Sequence, residues 1–160
     1  MRKMQNTPRC IASLVVAIAL VSGGQLVAAP PFEGDARKAS AQYAGWQHSG
    51  SLTILTTSDG ANLPASASED GFPLLVRLHK DFFNFSQAKV QGEDIRFSTS
   101  TGAPLAYQID EWDAATATAS IWVRMPTIKG NARQEIRLYW GKADAASESN
   151  GSAVFNADNG

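Results

Sequence analysis

Apolar and polar residues alternate along several short stretches of this 160-residue chain. Such alternation is typical of β-strands that bury one face and leave the other in solvent. The clearest stretch spans residues 72–78, where one predicted face carries Phe72, Leu74, Val76 and Leu78. Pro73 fits the first residues of this strand, because proline cannot donate a hydrogen bond to a neighbouring strand.

The same alternation recurs in five further stretches, separated by turn-forming residues: 51–56, 95–98, 105–110, 121–125 and 136–140. Pro126 is expected to stop the pairing of the strand before it. Trp112 is out of phase with residues 105–110, which predicts a β-bulge near Glu111. About 6–8 short strands without a long helical period predict an all-β fold, a jelly-roll-like antiparallel β-sandwich.

Aromatic residues are predicted to fill the core of this sandwich. Phe82, Phe83 and Phe85 are spaced for either a helical turn or an irregular loop that plugs the core, and the plug is the favoured interpretation. Trp140 is in phase with the apolar residues of its own strand. It is therefore predicted to be a core residue.

Residues 1–28 have the pattern of a helical signal peptide, with a basic start, an apolar run over 11–21 and small residues before the expected cleavage after Ala28. A transmembrane helix needs roughly 20 apolar residues, so this run predicts no membrane anchor. The protein is thus expected to be exported to the periplasm or the extracellular space.

The rest of the chain divides into a linker, one domain and a short tail. Residues 29–45 are alanine-rich and without period, which indicates a flexible linker. The β-sandwich domain is assigned to 46–155. Residues 156–160 show no strand pattern and are expected to begin a downstream segment that this sequence lacks.

Composition narrows the partners of the exported domain. Cys10, the one cysteine, leaves with the leader, so packing rather than disulfides must stabilise the fold. Losing Arg2, Lys3 and Arg9 reduces 14 Lys and Arg to 11 against 15 Asp and Glu, a balance of −4. This charge disfavours nucleic acid and anionic membranes as partners.

No nucleophile with an adjacent base, and no phosphate-binding loop, is recognisable in the sequence, so no catalytic residue is assigned and the chain is predicted not to be an enzyme. Asp110, Glu111 and Asp113 are a candidate calcium site, because calcium prefers carboxylate oxygens. Their alternative role is a solvated strand end. Asp94 is expected to accept hydrogen bonds from nearby backbone amides.

Tryptophan offers the best candidate ligand contacts, because a flat indole ring binds the apolar faces of ligands and partners. Trp122 and Arg124 are predicted to lie opposite the core face of their strand, either in a second buried interface or on an exposed platform. Together with Trp112 they are the predicted ligand-binding residues.

Four segments in order resemble one known family: Gly92–Phe97, Gly102–Asp113, Ile121–Pro126 and Leu138–Lys142. The chain resembles the domain of unknown function 2341 family over about residues 46–155. The resemblance implies a bacterial, extracytoplasmic β domain of unassigned activity. In that family a concanavalin A-like, laminin G-type domain often follows, and some members precede a MotA/TolQ/ExbB-type proton channel.

The sequence therefore predicts an exported, non-catalytic interaction module, with a glycan or another cell-envelope protein as candidate partner. The alternative is a periplasmic accessory or structural domain of a MotA/TolQ/ExbB-type biopolymer transport complex. The laminin G-type domain that the resemblance implies for relatives is expected to be missing here. Calcium is the one candidate cofactor.

Overall fold

A computed structural model describes residues 42–155, which form seven β-strands in two antiparallel sheets. The strands are β1 (His48–Leu55), β2 (Ser68–His79), β3 (Arg96–Thr99), β4 (Pro104–Leu105), β5 (Tyr107–Asp113), β6 (Thr118–Lys129) and β7 (Arg133–Trp140). A 3₁₀ turn spans Phe85–Gln87, and one helical turn, α1, spans Gly151–Val154. The predicted all-β sandwich is confirmed. The signal peptide, most of the predicted linker and residues 156–160 lie outside the described residues.

The first sheet has the strand order β1-β7-β3-β4 and the second has β2-β6-β5. Their inner faces carry the alternating apolar residues predicted from the sequence, including Leu74, Val76, Ile121, Val123, Ile136 and Leu138, all buried. Trp140 is also buried, as predicted. Burying these side chains is the main favourable contribution to folding, because each large apolar residue gains about 1.5–3 kcal/mol on leaving water.

A plug of aromatic residues closes one end of the sandwich. Phe83 and Phe85 are buried in edge-to-face contact, with ring centroids 4.9 Å apart, and Phe83 also packs on Trp140 at 5.0 Å. The N-cap residue Asn84 accepts a hydrogen bond from the Ser86 backbone N–H through its side chain. The irregular plug predicted for this segment is confirmed.

Residues 105–110 do not form the single strand that the alternation predicts. Leu105 pairs with Phe97 in the first sheet, whereas Tyr107 pairs with Val123 in the second. The chain therefore changes sheets at Ala106, whose carbonyl oxygen still accepts a hydrogen bond from the Arg124 backbone N–H. Leu105 and Tyr107 are both buried in the core. The alternation of apolar and polar residues therefore continues across the change of sheet and gives no sign of it.

Pro126 does not end its strand, and that prediction is wrong. β6 continues to Lys129, which pairs with Ser68 of β2. The pairing of β5 with β6 begins only at Val123, so β6 has a single neighbour at Pro126 and the missing N–H costs little. The predicted bulge is confirmed, because the register of β5 shifts between Ile109 and Glu111.

The outer face of the first sheet is covered by the residues that precede β1. Tyr43 is buried and stacks on Tyr139 of β7, with ring centroids 4.3 Å apart. Trp46 meets Tyr43 edge to face at 5.3 Å, and its indole N–H donates to the Asp94 carbonyl oxygen. Residue 43 was assigned to the linker from the sequence, yet it packs as part of the domain.

Candidate functional site

The outer face of the second sheet presents three rows of side chains, because β2, β6 and β5 pair in register there. The rows are Leu75, Trp122 and Gln108; then Arg77, Ser120 and Glu111; then His79, Thr118 and Asp113. These nine side chains are called the open face, since every one of them is exposed or half-buried. The face combines one large aromatic ring with hydrogen-bonding groups of both charges.

A shallow hollow of about 430 Å³ lies over the second and third rows of the open face. Its floor includes the small side chain of Ser120 on the central strand, and Arg77 and Glu111 line it from the flanking strands. His79 lines its lower end, with Nδ1 3.0 Å from the Asp81 carboxylate. The hollow forms because a short residue is paired between two long ones.

Trp122 lies in the row next to Ser120, two residues along β6, and is half-buried. The Phe155 ring packs on it edge to face at a centroid distance of 5.6 Å, and Arg124 donates from Nη1 to the Val154 carbonyl oxygen at 3.2 Å. The end of the described chain therefore covers the upper end of the open face. Of this predicted pair, Arg124 is held by a hydrogen bond to the chain itself, and Trp122 is half-buried under Phe155.

Trp112 does not lie beside Trp122. It packs against the aromatic plug, 5.1 Å from Phe85 and 6.0 Å from Phe83, because the bulge turns its side chain inward. Its indole N–H is buried and has no hydrogen-bond partner among residues 42–155. The three predicted ligand-binding residues are thus divided between an inner and an outer position, and their role in binding stays a prediction.

The acidic residues proposed for calcium lie along β5. Asp110 and Glu111 are exposed, and Asp113 accepts hydrogen bonds from the Ala115 and Thr116 backbone N–H groups at 2.8 and 3.1 Å. The backbone and hydroxyl of Thr116, followed by the Ala115 amide, hold the pKa of the Asp113 carboxyl below its ordinary value. Among residues 42–155, no three His, Cys, Asp or Glu side chains are grouped to hold a metal ion. Calcium binding stays a prediction from the sequence.

Arg96 is the centre of a second, closed polar cluster. It is 5% exposed, and Nη1 donates to the Tyr107 hydroxyl at 3.0 Å and to the carbonyl oxygens of Glu93 and Ile95. Nη2 donates to the Ala146 carbonyl oxygen at 2.6 Å and lies 2.9 Å from the Glu148 carboxylate. The guanidinium fastens the segment after β7 to the first sheet. It does not pair with the acidic residues of β5.

Asp94 performs the predicted structural role and a wider one. Its Oδ1 accepts from the Lys89 backbone N–H at 2.9 Å, as expected for a turn-forming carboxylate. Its Oδ2 accepts from the Gly141 and Lys142 backbone N–H groups at 2.6 and 3.1 Å. The buried carboxylate therefore joins the turn before β3 to the chain leaving β7.

Sequence reasoning did not select Arg77, Ser120 or Gln108 as site residues. They come from three strands, and only the antiparallel register places Arg77 and Glu111 on either side of Ser120. The sequence does show which residues of β2 and β6 face outward, because residues that alternate with the buried apolar positions lie on the opposite face of the strand. It does not show which residues of neighbouring strands lie beside them.

Residues 91–158 match the family model described as Domain of unknown function (DUF2341). The match confirms the family resemblance over that part of the chain. It covers β3 to α1, including the closed polar cluster around Arg96. No curated protein and no solved structure was found to match the chain. Within the described part of the chain, no helix is long and apolar enough to cross a membrane.

Proposed function

We propose that this chain, whose residues 91–158 match a family of unassigned activity, is an exported, non-catalytic interaction module that binds carbohydrate on its open face. Export rests on the leader pattern of residues 1–28. The binding role rests on one observation, the hollow over Ser120 between Arg77 and Glu111, with the half-buried Trp122 in the next row of the open face.

The chemistry of the hollow suits a sugar ring better than an apolar ligand. A guanidinium offers several N–H donors and a carboxylate offers only acceptors, whereas each sugar hydroxyl can donate and accept. Arg77 and Glu111 can therefore hydrogen-bond neighbouring hydroxyl groups from opposite sides. Trp122 supplies the flat apolar surface against which the C–H groups of a pyranose ring pack.

The size of the hollow supports a small ligand or one unit of a larger glycan. Its volume of about 430 Å³ falls in the usual range for ligand sites, roughly 300–1,000 Å³. The open face remains shallow and wet, so binding through it would be modest in affinity.

Glycan-array binding by the full chain, followed by titration calorimetry on each hit, tests this proposal. Ser120→Leu fills the hollow without removing a donor or acceptor from Arg77 or Glu111. It should abolish binding and leave the melting temperature nearly unchanged. Thr53→Leu makes the same kind of change on the outer face of the first sheet and should bind like the unmodified chain.

Two outcomes would reject the proposal. One is the absence of any bound glycan across the array. The other is a glycan bound equally well by Ser120→Leu, which would place binding elsewhere on the molecule. Repeating the titration with calcium and with a chelator tests the predicted calcium site, because a site at Asp110, Glu111 and Asp113 that supports binding should make affinity depend on the metal.

A further inference from the structure

The two sheets have four edge strands, and three of them carry features that prevent pairing with another strand. β4 is only two residues long and begins with Pro104. β2 contains Pro73 and has positive φ at Gly71. Short edges, prolines and local irregularities are the usual means by which proteins protect edge strands.

The free edge of β5 is covered by the chain that follows β7. The Asn150 backbone N–H donates to the Tyr107 carbonyl oxygen at 2.8 Å. The Ile109 backbone N–H donates to the Ser149 hydroxyl at 2.8 Å. β5 also carries the bulge and three acidic side chains.

The fourth edge, β1, has none of these protections. Its eight residues, His48–Leu55, include no proline and no Lys, Arg, Asp or Glu, and they pair with β7 in one unbroken register. Within the described part of the chain, no backbone hydrogen bond reaches residues 48–54 except from β7. In an antiparallel strand every second residue directs its N–H and C=O away from its partner. Over residues 48–54, β1 therefore presents a row of backbone groups, about 24 Å long, without partners in the described part of the chain.

We propose that β1 is a self-association edge at which a second copy of this chain pairs, β1 against β1 in antiparallel orientation about a two-fold axis. Such pairing would join the two four-stranded sheets into one continuous sheet of eight strands. Because the two strands are identical, each hydrogen bond is made twice, as an isologous interface requires.

The side chains of β1 suit a second copy. Leu52 and Ile54 stay on the inner face, while Ser51 and Thr53 lie on the outer face. Across the two-fold axis they would meet hydroxyl residues of the second copy. Hydroxyl pairs of this kind are favourable across antiparallel strands, and like charges are unfavourable. The absence of fixed charge from β1 removes the repulsion that a two-fold axis would otherwise impose between identical residues.

Sedimentation velocity of the full chain over a wide concentration range, with reductant present so that Cys10 cannot cross-link, measures this association. The unmodified chain should show a reversible monomer–dimer equilibrium. Thr53→Lys places like charges near the axis and should raise the dissociation constant at least ~10-fold. Thr101→Lys, the control at an exposed position in the turn between β3 and β4 at the other edge of the first sheet, should leave the constant unchanged.

Mixing charge variants separates loss of pairing from loss of folding. Thr53→Glu lies across from Glu135 within its own sheet, so its thermal unfolding is recorded first. Thr53→Lys and Thr53→Glu should each be monomeric alone and should form a heterodimer when combined. A chain that stays monomeric at every concentration, or a dimer unaffected by Thr53→Lys, would overturn the proposal. Binding of glycan does not enter this measurement, so the two proposals can fail independently.

Discussion

The outer faces of the two sheets carry similar side chains in opposite states. Arg96, beside the first sheet, is buried and donates hydrogen bonds to one hydroxyl and three carbonyl oxygens besides its ion pair with Glu148. Arg77, on the second sheet, is exposed and has no side-chain hydrogen bond or ion pair to any residue in 42–155. An arginine on either face can therefore be structural or be available to a ligand. The difference is whether other residues of the chain accept hydrogen bonds from its guanidinium.

The largest difference between the two faces is expected when the guanidinium of each is removed. Arg96→Met removes the donor of three carbonyl oxygens, one of the two donors of the Tyr107 hydroxyl and the partner of Glu148, and should lower the free energy of unfolding by about 3 kcal/mol. Arg77→Met should change it by less than about 0.5 kcal/mol and weaken glycan binding instead. Urea denaturation of both variants measures the difference, and equal losses would contradict the distinction between the faces.

The buried carboxylate offers a second, smaller test. Asp94→Asn replaces one acceptor oxygen by an N–H₂ group facing backbone N–H donors, and should cost about 2 kcal/mol. Asp110→Asn makes the same change at an exposed site on β5 and should leave the urea midpoint unchanged. Similar midpoints for the two variants would mean that the Asp94 contacts contribute little.

Tyr107 allows the sealed cluster to be examined by pH. Burial raises the pKa of its hydroxyl above the ordinary value of 10.0, although the neighbouring Arg96 guanidinium opposes the shift. Because this pKa is higher in the native than in the unfolded protein, the group stabilises the fold fully at pH values below the unfolded pKa. That stabilisation is lost as the pH rises through the native pKa. Tyr107→Phe should therefore lose about 1 kcal/mol near neutral pH and show a smaller decline in stability above about pH 10. If the variant loses stability above about pH 10 as steeply as the unmodified protein, that loss comes from other titrating groups.

The smallest effect is expected in the hairpin turn between β5 and β6. Ala117 has φ of 54°, a left-handed conformation that costs an alanine roughly 1–2 kcal/mol. Ala117→Gly should stabilise the domain by about 0.5 kcal/mol after the larger backbone entropy of glycine is subtracted. Ala115→Gly, two residues earlier and without positive φ, should instead destabilise by a similar amount. Calorimetric melting of the two variants should show shifts of opposite sign.

Several features of the molecule follow from short stretches of sequence. The alternation of Leu74, Val76 and Leu78 determined which side of β2 is buried, because successive side chains of a strand point to opposite faces. The phase of Trp112 revealed the bulge in β5 for the same reason. Asp94 beside a glycine turn indicated a carboxylate that accepts backbone N–H groups.

Other features required the tertiary structure, because they join residues far apart in the chain. The change of sheet at Ala106 preserves the alternation and leaves no local mark. Arg96 finds Glu148 only after β7 and the following segment have returned to β3. The open face depends on the register of β2, β6 and β5, which decides that Arg77 and Glu111 flank Ser120. The pattern of residues alone thus predicted which apolar side chains of the strands are buried. Register and topology, which arise from packing two whole sheets together, decided which polar groups are satisfied and which remain free to bind.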